Sequence, residues 1–126
     1  MKIKDIIKGD VIVVEPDITL KEAVQIMSKN KIGSLVVIKE RQVVGIITER
    51  DILKNINSLN NKISSVMTKN IIFINSDSYV ENAAILMAKN KIKRLLVVDK
   101  DALFGIITAT DILANSDKIN DDFYFF

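Results

Sequence analysis

Short unbroken apolar runs alternate along this chain with apolar residues at helical spacing. Val11-Ile12-Val13-Val14 and Ile71-Ile72-Phe73-Ile74 read as short buried strands. Pro16 closes the first of them. Leu20, Ala23, Val24 and Met27 form a helical stripe, and Thr19 followed by Glu22 supplies a capping-box start. Val80, Ala83, Ala84 and Met87 repeat that stripe. Leu35-Val36-Val37-Ile38 and Leu95-Leu96-Val97-Val98 are again strands, followed by polar turns at Lys39–Gln42 and Asp99–Ala102. Val43–Ile47 and Leu103–Ile107 return as the second arms of hairpins, and helices begin near Glu49 and Ala109. The predicted order is β-α-β-β-α, twice. Strands this apolar fit small mixed sheets covered by helices, an α/β (α+β) arrangement. Asn55–Asn61, rich in Asn and Ser, is the one linker signal, and it is too short to let two domains separate freely.

The two halves align without gaps at an offset of sixty positions. Ala23 meets Ala83, Met27 meets Met87, Lys29-Asn30-Lys31-Ile32 meets Lys89-Asn90-Lys91-Ile92, and Asp51-Ile52-Leu53 meets Asp111-Ile112-Leu113. Roughly twenty identities over one repeat mark an internal duplication. With only two copies, a pseudo-twofold pair is expected rather than an open solenoid. The sequence divides as residues 1–58, residues 59–118 and a tail of residues 119–126.

Composition removes several functions from this picture. The chain has 126 residues, enough for a real core, and 48% of them are hydrophobic. No apolar run approaches bilayer length, and Met1-Lys2-Ile3-Lys4-Asp5 opens no signal peptide, which places the expectation in the cytoplasm. Without cysteine there is no disulfide framework and no thiolate nucleophile; without histidine a zinc site would need carboxylates alone. The net charge is +2 from well-mixed Lys, Arg, Asp and Glu, so no basic block marks a nucleic-acid footprint. No nucleophile-plus-base pair is visible, which argues against an enzyme.

The candidate chemistry lies in a stretch that occurs twice, Gly45-Ile46-Ile47-Thr48-Glu49-Arg50-Asp51 and Gly105-Ile106-Ile107-Thr108-Ala109-Thr110-Asp111. Each reads as a buried strand turning sharply into a helix. A glycine inside a strand is costly unless something approaches the backbone closely. The threonines stand where a cap accepts from free helix amides, and a helix start also suits an anionic ligand. Simple capping explains the same letters, although Asp replaces the usual Glu or Gln of a capping box.

Two β-α-β-β-α units, each carrying Gly-Ile-Ile-Thr-x-x-Asp-Ile-Leu, resemble a tandem pair of CBS domains, the regulatory domains typified by cystathionine β-synthase. The resemblance covers about residues 3–118 and implies one compact pseudo-symmetric module with two clefts for adenosine-containing ligands such as AMP, ADP, ATP or S-adenosylmethionine. It also implies pairing into homodimers. No obligatory cofactor and no metal are implied. Asp51 and Asp111 suit the vicinal hydroxyls of a ribose, and Thr48 and Thr108 can donate beside them. A phosphate would need its own cation, and Arg50, Lys93 and Arg94 are the candidates. Thr110 stands where the first copy has Arg50, and Gly33-Ser34 stands where the second has Lys93-Arg94, so the clefts are not equivalent. The sequence does not assign Lys93 and Arg94 to either cleft. By resemblance the adenine slot draws on Val13, Phe73, Ile32, Gly33 and Ile92. Val36 and Leu96 replace a frequent proline of the family, and Val13 and Phe73 replace a frequent hydroxyl residue; plain core packing accounts for each singly.

The reading that follows is a stand-alone regulatory module that binds an adenosine compound and signals to an unknown effector protein, with no membrane role. A structural or dimerisation module with empty clefts stays open, as does nucleic-acid binding through scattered lysines. Of the five Phe and two Tyr in the chain, four fill Phe123-Tyr124-Phe125-Phe126, after Asp121-Asp122. Consecutive aromatics are enriched at contact surfaces, so the tail either packs across a dimer or partner interface or folds back on its own module.

Overall fold

The computed structural model describes residues 1–7 and 11–117, so the aromatic tail lies outside the described residues. The elements are β1 (Val13–Val14), α1 (Leu20–Asn30), β2 (Ser34–Lys39), β3 (Gln42–Thr48) and α2 (Glu49–Lys54), then β4 (Phe73–Asn75), α3 (Val80–Asn90), β5 (Arg94–Asp99), β6 (Ala102–Thr108) and α4 (Ala109–Ala114). Single 3-10 turns occupy Ile3–Asp5, Ile56–Ser58 and Ile63–Ser65. The β-α-β-β-α order therefore occurs twice, with sheets ordered β1-β2-β3 and β4-β5-β6. In each sheet the first pair is parallel and the second antiparallel.

Both outer strands differ from expectation in extent. Only Val13 and Val14 ladder onto Val36 and Val37; Ile12 contributes a single carbonyl to the Val36 amide at 3.2 Å. β4 starts at Phe73 rather than Ile71 and runs on to Asn75. The hairpins form as expected, with a register shift after Val37 and Val97, opposite Gly45 and Gly105. Their two-residue turns require positive φ at both positions, and Glu40-Arg41 (51° and 66°) and Lys100-Asp101 (49° and 64°) adopt it without glycine. At the start of α1 the Thr19 hydroxyl accepts the Glu22 amide at 3.1 Å, but the box is half-formed: the Glu22 carboxylate meets the Thr19 hydroxyl rather than its backbone.

In space the chain divides into an inner unit of residues 11–71 and a split unit made of the N-terminal segment with residues from 72 onward. The core of the inner unit gathers Leu20, Ala23, Met27, Leu35, Val37, Ile47, Ile52 and Ile63. The core of the split unit gathers Ile3, Ile74, Val80, Ala83, Met87, Leu95, Val97 and Ile107. Met27 and Met87 thus hold equivalent buried positions. Val36 and Leu96, on the opposite sheet face from these cores, are also closed to water, which explains why β2 and β5 are apolar without alternation.

Sequence repeat and spatial unit are out of phase. Ile3 reaches the split unit, where its amide donates to the Ser78 carbonyl (2.9 Å), the Lys4 amide to Ser76 (3.0 Å) and the Val80 amide to Met1 (3.0 Å). Sixty residues on, Ile63 serves the inner unit in the same way: its amide donates to the Ile18 carbonyl (2.8 Å) and the Ser64 amide to Pro16 (3.2 Å). The Asn55–Asn61 segment is not a tether. Its Leu59 and Asn61 carbonyls accept the Lys21 and Leu20 amides, both at 2.9 Å, and so satisfy the start of α1.

Candidate functional site

In the inner unit β3 runs directly into α2 through Thr48. The Thr48 hydroxyl accepts the Asp51 amide (3.3 Å), while Asp51 Oδ2 accepts the Thr48 amide (2.9 Å) and the Thr48 hydroxyl proton (3.0 Å). The capping box is complete despite the shorter acid, because a carboxylate at the third helical position still reaches back to the cap amide. The Asp51 carbonyl accepts from Asn55 Nδ2 at 2.7 Å, which holds the far end of this short helix. β2 supports the turn: Ser34, buried, stands in register with Thr48, and the Gly33 carbonyl accepts the Glu49 amide at 3.1 Å. Arg50 projects from the first turn and is exposed.

Gly45 is glycine because the chain itself crosses it. A Cβ there would lie 2.6 Å from Met67 Sδ and 3.1 Å from the Thr68 carbonyl oxygen. The crossing is fixed by reciprocal backbone bonds between Ile46 and Thr68, both 2.9 Å. It delivers the Thr68 hydroxyl to the Asp51 carboxylate, 3.0 Å from Oδ1 and 3.2 Å from Oδ2. Thr68 is the residue that sequence reasoning missed. Its only signal was the strand glycine, which announces a close approach without naming what approaches.

In the split unit the same box closes α4. The Thr108 amide donates to Asp111 Oδ2 (2.8 Å), the Asp111 amide donates to the Thr108 hydroxyl (3.1 Å), and Asn115 Nδ2 donates to the Asp111 carbonyl (2.8 Å). Arg94, half-buried, opens β5 in register with Thr108, and the Lys93 carbonyl accepts the Ala109 amide at 2.8 Å. The backbone therefore runs through Lys93 and Arg94 beside the Thr108–Asp111 turn of their own unit. Thr110 is exposed at the position Arg50 holds in the inner unit.

The residues suggested for an adenine slot fall into two kinds. Val13 (48% exposed) and Phe73 (44%) stand open at the edges of β1 and β4, opposite Val36 and Leu96 in register. Ile32 and Ile92 are half-buried and pack against the cores of the inner and split units. A groove of about 440 Å³ opens in the inner unit, lined by Val24, Met27, Ile32, Ile52 and Leu53 with Lys31 and Glu49 among its walls. Among the described residues no cluster of three carboxylates is placed to hold a metal ion, and no helix is long and apolar enough to cross a membrane.

The family model described as CBS domain matches residues 3–58 and 63–118. Inosine-5′-monophosphate dehydrogenase of Methanocaldococcus jannaschii is 41% identical over 114 residues, covering 89% of this chain and 23% of that enzyme. An uncharacterised M. jannaschii protein, MJ1232, is 33% identical, and the chain spans 38% of its length. The CBS domain-containing protein YhcV of Bacillus subtilis is 30% identical over 117 residues, with 90% of this chain and 84% of that protein covered. Among solved structures, the CBS-domain protein ATU1752 from Agrobacterium tumefaciens superposes with a TM-score of 0.88 at 30% identity, covering 92% and 99% of the two chains. The CBS domain pair of protein MJ0100, in complex with 5′-methylthioadenosine and S-adenosyl-L-methionine, superposes with a TM-score of 0.86 at 33% identity, covering 94% and 98%.

Proposed function

The chain belongs to the CBS-domain family, and from that premise we propose that it is a regulatory pair that binds an adenosine-containing ligand and passes the occupied state to a partner, without catalysis of its own. The observation that carries this reading is that, in the split unit, the backbone brings the Lys93-Arg94 step alongside the strand-to-helix turn that holds the Asp111 carboxylate. Asp111 would accept from the ribose hydroxyls and Thr108 would lie beside them. Arg94, with Lys93, would meet a phosphate and would disfavour a positive sulfonium placed close by. Thr48, Arg50 and Asp51 would play the matching parts in the inner unit, and Thr110 would take in the split unit the place that Arg50 has in the inner one. Val13, Ile32, Gly33, Ser34, Phe73 and Ile92 would border the base. The adenosine compounds in complex with the MJ0100 pair support the ligand class; AMP, ADP, ATP and S-adenosylmethionine are the compounds to test. The working assembly is a cytoplasmic homodimer acting on an effector protein, and the exposed Leu53 (71%) and Leu113 (72%) on α2 and α4 favour self-association.

The structural reading has its own support, since both capping boxes are complete without any ligand. Isothermal titration against the adenosine panel separates the two. Asp111→Ala should weaken binding by about 1–3 kcal/mol, the usual cost of an unpaired polar contact. Thr108→Val should cost less, and Asp51→Ala should act on a separate site. If both aspartate changes leave every affinity untouched, the boxes serve capping alone.

A further inference from the structure

The two Thr-x-x-Asp turns are alike in sequence and in capping, yet their carboxylates differ in what else reaches them. A carboxylate offers about four lone-pair directions, two on each oxygen. Asp51 Oδ2 already accepts twice from Thr48, and the Thr68 hydroxyl lies across both oxygens, nearer to Oδ1. Asp111 Oδ2 accepts the Thr108 amide, and among the described residues no donor occupies its Oδ1.

We infer that Thr68 is a built-in competitor for the ribose at Asp51, so that the inner-unit site is held closed and the Asp111 site fills first. This rests on the adenosine reading above and adds to it a residue that sets the difference between the two sites. A vicinal diol needs two acceptor directions at once. At Asp111 no described residue takes Oδ1, which leaves them open. At Asp51 the diol must displace a hydroxyl that is already charge-assisted. The Thr68 backbone is fixed by its reciprocal bonds to Ile46, which keeps its hydroxyl within reach of the carboxylate.

The test is titration of AMP, adenosine and 2′-deoxyadenosine in an Asp111→Ala background, which isolates the inner-unit site. Thr68→Val keeps the branched shape and the Ile46 pairing but removes the hydroxyl. It should tighten AMP and adenosine about two- to tenfold, the worth of one hydrogen bond. The gain should be smaller for 2′-deoxyadenosine, which lacks half of the diol. Thr68→Ser, which keeps the hydroxyl, should match its parent. Thr68→Val binding that is unchanged or weaker, while the wild type still binds, overturns the competitor role and makes Thr68 a buttress of Asp51. Binding of none of the three compounds by any form, wild type included, removes the adenosine reading and this inference with it.

Discussion

Ile3→Ala tests the phase shift between sequence repeat and spatial unit. Ile3 is fully buried among Val80, Ala83, Leu95 and Ile107, although it precedes β1 in the chain. Removing its branched side chain should cost about 2–5 kcal/mol, the range for Ile or Leu to Ala in a core that only partly collapses. That is a large share of the ~5–15 kcal/mol by which domains are stable. The loss should be local. Hydrogen exchange read by mass spectrometry should show α3, β5 and β6 opening first, while β1 to α2 keep their protection. Ile63→Ala, the equivalent change in the inner unit, should give the opposite map. Lys4→Ala is the control. Lys4 Nζ lies 2.7 Å from Asp77 Oδ1, and this bond, with the mutual charge, holds the Asp77 carboxyl below its usual range and the Lys4 ammonium above its own. The Asp77 contribution is present above the ordinary carboxyl value and lost as pH falls; that of Lys4 is present below the ordinary ammonium value and lost as pH rises. Neutral pH therefore holds both constant, and because the pair stands in water Lys4→Ala should leave the exchange map unchanged. Exchange that rises first in residues 11–54 of Ile3→Ala, or equally in both units, would refute the out-of-phase packing.

The hairpin turns predict a stabilising change: Asp101 sits at φ 64°, so Asp101→Gly should relieve about 0.5–1 kcal/mol and raise the melting temperature by a few degrees. A fall in Tm would show that the turn residues are held by contacts rather than strained. Deleting Phe123–Phe126 should raise the monomer fraction in sedimentation velocity if the aromatic tail bridges a homodimer. An unchanged dimer with lower thermal stability would show that the tail packs within its own chain, and a monomer before truncation would defeat the homodimer proposal.

Much of the fold was legible because its signals are local or repeated. Leu20, Ala23 and Met27 mark the buried face of α1, and the offset of sixty carries that face onto Val80, Ala83 and Met87. The hairpins were readable from polar turns between apolar runs. What stayed hidden depends on which stretch of chain lies across from which. Ile3 and Ile63 are identical residues, each after a lysine and each opening a 3-10 turn, and nothing in that likeness says that each joins the body of the other repeat. That Arg94 stands opposite Thr108 became visible only with the β5–β6 register. Thr68 escaped because the comparison of repeats pairs it with Lys8, a residue of different chemistry, and so erases the hydroxyl.

Capping and ligand binding look like rival accounts of Thr48, Asp51, Thr108 and Asp111, but the geometry separates them by atom. The boxes use the backbone amides, the threonine hydroxyls and Oδ2. A ribose needs an acceptor edge that the box leaves free, which is Oδ1. A complete capping box is therefore no argument against a ligand; it fixes the carboxylate in one orientation and lowers the entropic cost of using its other oxygen. The argument against a ligand must come from whatever already holds Oδ1. In the inner unit that is Thr68, 3.0 Å away. The difference between a structural turn and a binding site thus narrows, in the inner unit, to one hydroxyl delivered by a chain crossing that packs closely over Gly45.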